Sequence, residues 1–228
     1  MLIAEDLLLL LTDDDSGKLT GTASEVDVAL GGAMLIELTL MGRVDVAGPS
    51  DSVRKGRLVV RDPSPTDDLL LDELLTKLDK KQGKRPRDVV APLGKKLRRR
   101  LYERLVDRGL LRVESGKILG LFPTRRWPAE DTAHEYALRA EIATALQNGM
   151  TGNAKVASVI ALLRALKVVH KVIDPGVVGL SKRDLKDSAK RIAEGNWASE
   201  AVRQAISSMN AAVLAATSSG AATTGSGS

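Results

Sequence analysis

The stretch from Pro92 to Pro123, PLGKKLRRRLYERLVDRGLLRVESGKILGLFP, constrains this chain most. It reads as a basic helix, a glycine stop and a short hairpin with an apolar tip. Leu97, Leu101 and Leu105 recur at helical spacing and Leu110 and Leu111 follow the stop, so one face packs inward. Lys95, Lys96, Arg98, Arg99, Arg100, Arg104 and Arg108 cover what remains. Gly109 directly after Arg108 is the expected stop chemistry. Beyond it, LLRVE and KILGLF are two short β-prone runs joined across Ser115 and Gly116. A cationic helix beside an apolar-tipped hairpin suits a membrane, and it also suits a winged helix on DNA.

Composition narrows the choice of fold. Tyr102, Phe122, Trp127, Tyr136 and Trp197 are the whole aromatic complement of 228 residues. The core must therefore be built from Leu, Val, Ile and Ala, which favours packed helices over a β-sandwich. A net charge of +5 and a pI near 9.5 point to an acidic partner, nucleic acid or anionic lipid. The 29 acidic residues interspersed with 34 basic ones keep that signal moderate. The absence of cysteine excludes disulfides and thiolate metal sites.

The sequence carries no nucleophile motif, Walker loop or dinucleotide fingerprint, so it reads as non-enzymatic. His134 and His170 lack the spacing of metal-ligand pairs, and Asp13 to Asp15 lack the rest of a calcium loop. No metal and no cofactor are expected. The leucines at the start are interrupted by Glu5 and Asp6 with no charged segment before them, so they are not read as a signal peptide. The apolar run over 156–173 contains Arg164, Lys167, His170 and Lys171, too charged to span a bilayer. Membrane attachment would be peripheral, with the protein on the cytoplasmic side.

Along the chain, Leu2 to Leu11 reads as a leucine-rich helix followed by an acidic turn. Ser24 with Asp27 marks the start of a strongly apolar helix whose interior Glu37 needs a partner or water. RVDVAG and GRLVVRD form a hairpin, and Thr66 caps a helix over DDLLLDELLTKLDK. The run from Lys80 to Asp88 is a basic surface loop. Helices are expected over 131–147, 154–173, 181–194 and 198–217. The fold class is mainly α: one helical domain over 1–217 with a central bundle and short β-hairpins, one apolar-tipped. Residues 218–228 read as a flexible Ala/Gly/Ser/Thr tail.

Four ordered segments, AEDLLLLLTDDDSGKL, GGAMLIELTLMGRV, PTDDLLLDELL and KKLRRRLYERLVDRGLLRVE, together resemble the Golgi phosphoprotein 3 family, over most of the chain to about Glu200. The resemblance implies a largely helical peripheral membrane protein that recognises phosphatidylinositol 4-phosphate. In eukaryotes it also implies a place on the cytoplasmic face of the Golgi, holding the cytoplasmic tails of membrane proteins. The family's pair of pocket cations falls here on Lys95 and Arg98, and its membrane-inserting hairpin on Ile118, Leu119, Leu121 and Phe122. The family's pocket tryptophan falls near Thr22 and its pocket arginine on Gly31.

Lys95 and Arg98, three residues apart on a helix whose first turn holds Pro92, would grip one phosphate near the helix's positive end. Arg99 would touch neighbouring headgroups. The plainer reading of all three is a solvated cationic face. Two inserted apolar side chains and three basic ones at the surface give roughly 6–9 kcal/mol. Micromolar binding takes about 8 kcal/mol, so self-association into a homo-oligomer would help through avidity. The favoured function is binding of anionic phospholipid, a phosphoinositide headgroup foremost. A winged-helix-like DNA-binding protein and a non-enzymatic scaffold for protein partners are the rivals. The apolar tip disfavours nucleic acid.

Overall fold

The computed structural model describes residues 1–80, 82–118, 122–195, 207 and 210–218, with the backbone alone at 116–118 and 122–124. Over these residues the protein is a mainly helical single domain with two small antiparallel strand pairs. Helix α1 (Ile3–Leu10) is buried at every position. A short helix that is leucine-rich on all sides belongs in the middle of a bundle. Beside it lies α2 (Ala23–Leu40), buried continuously from Val28 to Thr39.

Thr22 starts α2, not Ser24. Its hydroxyl accepts from the Glu25 amide, while the Glu25 carboxylate accepts the Thr22 amide at 3.2 Å and the Thr22 hydroxyl at 2.6 Å. This reciprocal cap needs the longer reach of glutamate at the third helical position. Asp27 is thereby released for another role.

Two short strands, β1 (Val44–Val46) and β2 (Leu58–Val60), pair with Val44 opposite Val60. Asp68, not Thr66, caps α3 (Leu69–Asp79): its carboxylate accepts the Leu70 and Leu71 amides. Thr66 instead donates its hydroxyl to Asp72 at 2.7 Å. A 3-10 turn (Pro86–Asp88) leads to α4 (Val90–Gly94) and α5 (Leu97–Asp107). The second hairpin pairs β3 (Glu114–Ile118) with β4 (Phe122–Arg126). Ser115 and Gly116 lie inside this ladder, opposite Arg125 and Thr124, so the expected turn there is displaced toward the apolar residues. Then come α6 (Ala133–Asn148), α7 (Ala154–Ala165), α8 (Val169–Val172) and α9 (Lys182–Glu194). The helix expected over 154–173 is broken at Lys167, which has φ +60°. Of the helix expected over 198–217, residues 198–206, 208 and 209 lie outside the described residues, as does the expected tail from 219 on; residues 210–218 are helical and bring Val213 against Gly32.

Buried carboxylates knit these helices together. Glu37 accepts the Ile3 amide at 2.7 Å and the Lys155 ammonium at 2.8 Å, supplying the partner its position demanded. Glu5 accepts the Leu2 amide and lies 2.9 Å from Arg104 and 3.3 Å from Arg108. Two carboxylates thus surround the positive end of α1.

Glu135, buried on α6, faces Arg139, but burial pushes its pKa up to about 7 and the nearby Asp14 adds to the rise. The folded state therefore holds a proton that the unfolded chain, near 4.5, releases earlier. The stability from that proton is full below pH 4.5 and is lost as pH rises toward 7. Glu135→Gln is expected to gain on the wild type between pH 5 and pH 8, by up to about 3 kcal/mol at 1.36 kcal/mol per pKa unit. Urea denaturation at four pH values checks this. A difference that stays constant with pH would mean Glu135 titrates in its ordinary range.

Candidate functional site: a cationic cavity at the base of the second hairpin

The basic helix expected from Pro92 is bent. Helix α4 ends at Gly94, α5 begins at Leu97, and Lys96 between them has φ +68°. The cause is the crossing of α4 over α2. A Cβ on Gly94 would lie 1.7 Å from the Asp27 carbonyl oxygen, and one on Gly31 would lie 2.1 Å from the Val90 carbonyl oxygen. The helices approach backbone to backbone, as only glycine permits. After the bend, α5 buries Leu97, Leu101, Tyr102 and Leu105. Lys95 and Arg98, expected on one helical face, fall on opposite sides of the bend. Lys95 is exposed at the end of α4, while Arg98 sits half-buried in the first turn of α5.

Next to this bend lies an open cavity of about 1000 Å³. Its floor is the stacked pair Tyr102 and Trp127, with ring centroids 4.1 Å apart and planes 1° from parallel. The Tyr102 hydroxyl, 3.0 Å from that of Thr12, ties the floor to the end of α1. Trp127 is held by the acidic turn: Ala129 donates its amide to the Asp14 carbonyl at 2.9 Å, and Gly17 packs against the Trp127 backbone. A Cβ on Gly17, at φ +59°, would meet the Trp127 nitrogen at 2.4 Å.

Among the described residues, six cations surround the floor. Lys96, Arg98 and Arg99 come from the bend and α5, Arg125 and Arg126 from β4, and Lys18 from the loop after the acidic turn. No side chain among the described residues caps the start of α5, whose first-turn amides add to the positive field. Among the described residues Asp27 is the lone carboxylate of the lining. It lies 3.2 Å from Arg98 Nε, yet its buried Oδ1 has no hydrogen-bond partner among the described residues. Burial raises the Asp27 pKa, and Arg98 works against that rise. Guanidinium forks over an aromatic floor suit a phosphate ester whose carrier has an apolar face.

Of the residues expected from sequence, Arg98 and Arg99 line the cavity and Lys95 is not among its lining. Ile118 and Phe122 are cross-strand partners at the far end of the hairpin, and Leu119 and Leu121 lie outside the described residues. Four residue steps separate Ile118 from Glu114, the partner of Arg126, which puts the end of the ladder roughly 13 Å beyond the cavity rim. Thr22 is the cap of α2, and Gly31 is filled by the α4 backbone. Sequence reading missed Lys18, Lys96, Asp27 and Tyr102. Tyr102 had a signal, since it lies one turn after Arg98 on the same face. Lys96 had none, because its place depends on a left-handed backbone that lysine rarely adopts.

Among the described residues no helix is long and apolar enough to cross a membrane, and no group of three or more His, Asp or Glu could hold a metal ion. Comparison with known proteins agrees with the four-segment resemblance. The chain is 31% identical over 166 residues to Vacuolar protein sorting-associated protein 74 of Eremothecium gossypii, an alignment covering 63% of this chain and 48% of that protein. The match thus spans about half the length of that relative. The sequence profile of the family described as Golgi phosphoprotein 3 (GPP34) matches residues 3–209. With nearly the whole helical domain inside that match, the chain belongs to the Golgi phosphoprotein 3 (GPP34) family.

Proposed function

We propose that this protein is a non-enzymatic peripheral membrane protein that binds anionic phospholipid, with the headgroup of phosphatidylinositol 4-phosphate held in the cavity between α5, β4 and the start of α2. The observation that carries this reading is the set of six cations over the stacked Tyr102–Trp127 floor, of which Arg98 pairs with Asp27 and Arg99 with Glu103 just outside the lining, leaving the other four without an ion pair among the described residues. Arg98 and Arg99 hold phosphate together with Arg125 and Arg126. Lys95, on the outer side of the bend, contacts neighbouring headgroups. The hairpin residues Ile118, Leu119, Leu121 and Phe122 enter the bilayer. Membership in the family supports a site of action at the cytoplasmic face of the Golgi, with cytoplasmic tails of membrane proteins as partners and self-association as a source of avidity.

Liposome co-sedimentation at 150 mM salt tests the reading. Vesicles of phosphatidylcholine alone are compared with vesicles carrying phosphatidylserine, phosphatidylinositol or phosphatidylinositol 4-phosphate. The wild type is expected to sediment best with the last. Arg98→Ala/Arg99→Ala is expected to lose that preference and Lys95→Ala to weaken all anionic vesicles alike. Equal binding to every anionic vesicle would remove the headgroup assignment, and no binding to any would remove the membrane function.

A further inference from the structure

Most arginines on this surface are neutralised. Arg43, Arg61, Arg100, Arg104 and Arg139 each lie within 4 Å of a carboxylate. Besides Lys18, Lys96, Arg125 and Arg126 of the first cavity, a second cluster departs from that pattern. Arg54, Lys55, Arg57 and Arg85 line a second groove of about 470 Å³ with Arg87, and no ion pair forms for the first four among the described residues. Arg87 has, among the described residues, only its neighbour Asp88, at 3.7 Å.

These cations come from two sequence runs, RKGR at 54–57 and KRPR at 84–87. The fold clamps the runs side by side. Leu58 donates its amide to the Lys84 carbonyl at 2.8 Å, and Gly83 donates to the Leu58 carbonyl at 2.9 Å. Gly56 at φ +80° and Gly83 at φ +76° supply the turns that bring each run to the groove. The floor is small and apolar: Pro86 and Ala212, both buried, with the exposed alanines 211 and 215 of the last helix beside them. No lining residue is shared with the first cavity.

Holding five like charges together costs repulsion that Asp88 relieves only in part, so the groove is a concentrated positive field awaiting an anion. Four of the five are arginines, whose planar forks match phosphate oxygens two at a time. Each phosphate monoester brings about 1.5 to 2 negative charges on one group, so two or three phosphates balance the cluster within a groove of this size. Single-charge carboxylates would need a longer acidic segment. We infer that the groove between residues 54–57 and 84–87 is a second phosphate-binding site, taking a compact ligand with two or more phosphate groups, carried on a lipid headgroup or free in solution. It is independent of the headgroup cavity.

The test is calorimetric titration of the full chain with tripolyphosphate at 150 mM salt, using wild type, Arg54→Ala/Arg87→Ala and Arg98→Ala/Arg99→Ala. A site that survives in Arg98→Ala/Arg99→Ala and weakens at least tenfold in Arg54→Ala/Arg87→Ala is the expected result. Both altered arginines are exposed, so the melting temperature of the variant should stay at or above that of the wild type. Unchanged tripolyphosphate binding in Arg54→Ala/Arg87→Ala overturns the inference and leaves the headgroup cavity untouched. Hexaglutamate binding as tightly as tripolyphosphate also overturns it, in favour of an acidic peptide. Vesicles carrying 5% phosphatidylinositol 4,5-bisphosphate identify the source. Weaker sedimentation of Arg54→Ala/Arg87→Ala supports the site with a lipid-borne ligand, and unchanged sedimentation with lost tripolyphosphate binding supports it with a soluble one.

Discussion

Gly31→Arg, which restores the residue the family resemblance places there, is expected to unfold the protein before it strengthens any headgroup site. A Cβ at position 31 meets the Val90 carbonyl oxygen at 2.1 Å and the Gly94 nitrogen at 2.9 Å. Both are backbone atoms and cannot rotate aside, so α4 would have to lift from α2. Gly94→Ala makes the reciprocal clash, 1.7 Å from the Asp27 carbonyl oxygen. Overpacking a close-packed interior typically costs 1–3 kcal/mol and more where the backbone must shift, against a total stability of roughly 5–15 kcal/mol for a domain. Each variant should lose about 3 kcal/mol or more in urea denaturation followed by circular dichroism. Gly109→Ala is the comparison: at φ +71° with nothing within 4 Å among the described residues, it should lose only the left-handed backbone penalty, about 1–2 kcal/mol. Wild-type stability of Gly31→Arg with tighter binding to phosphatidylinositol 4-phosphate vesicles would refute the close crossing.

This crossing also explains which parts of the molecule could be read in advance. Leucine spacing announced α3 and α5 because a buried helix face must repeat with the turn of the helix, and the unbroken leucine run announced α1. Glu37 was foreseeable as a residue in need of a partner, although only the fold makes that partner Lys155 and the Ile3 amide. The bends were not legible. Lys96 and Lys167 are ordinary helix formers locally, and Lys96 is driven left-handed by a contact between Gly94 and Asp27, 67 residues apart in the chain. That contact moved Lys95 away from Arg98 and brought Lys96 to the cavity in its place. The second hairpin shows the opposite trap. Ser115-Gly116 has the chemistry of a turn, yet the ladder runs through it to Ile118 opposite Phe122. Residues near Arg98 in space but not in sequence, Lys18 and Asp27 above all, became visible only when the acidic turn and the start of α2 were placed against α5.

Charge reversal at the cavity should have the largest effect on membrane binding. Arg99 and Arg126 are exposed, so Arg99→Glu/Arg126→Glu alters the field without opening the core, at the cost of the surface pair of Arg99 with Glu103. The double change shifts the site by four charge units. At about 1 kcal/mol per charge near an anionic bilayer, the loss is about 4 kcal/mol, nearly a thousandfold in the dissociation constant. Asp27→Asn should act in the other direction. It removes the one carboxylate of the lining and frees Arg98, so binding should tighten by about 1 kcal/mol, or roughly fivefold. Vesicle titration at 50, 150 and 300 mM salt measures both, and the gap between the variants should narrow as salt screens the exposed charges. Opposite signs from residues of α2 on one side and of α5 and β4 on the other would tie binding to the cavity they share. If both variants sediment as the wild type does, the cavity is not what meets the membrane, and affinity must come from the hairpin alone.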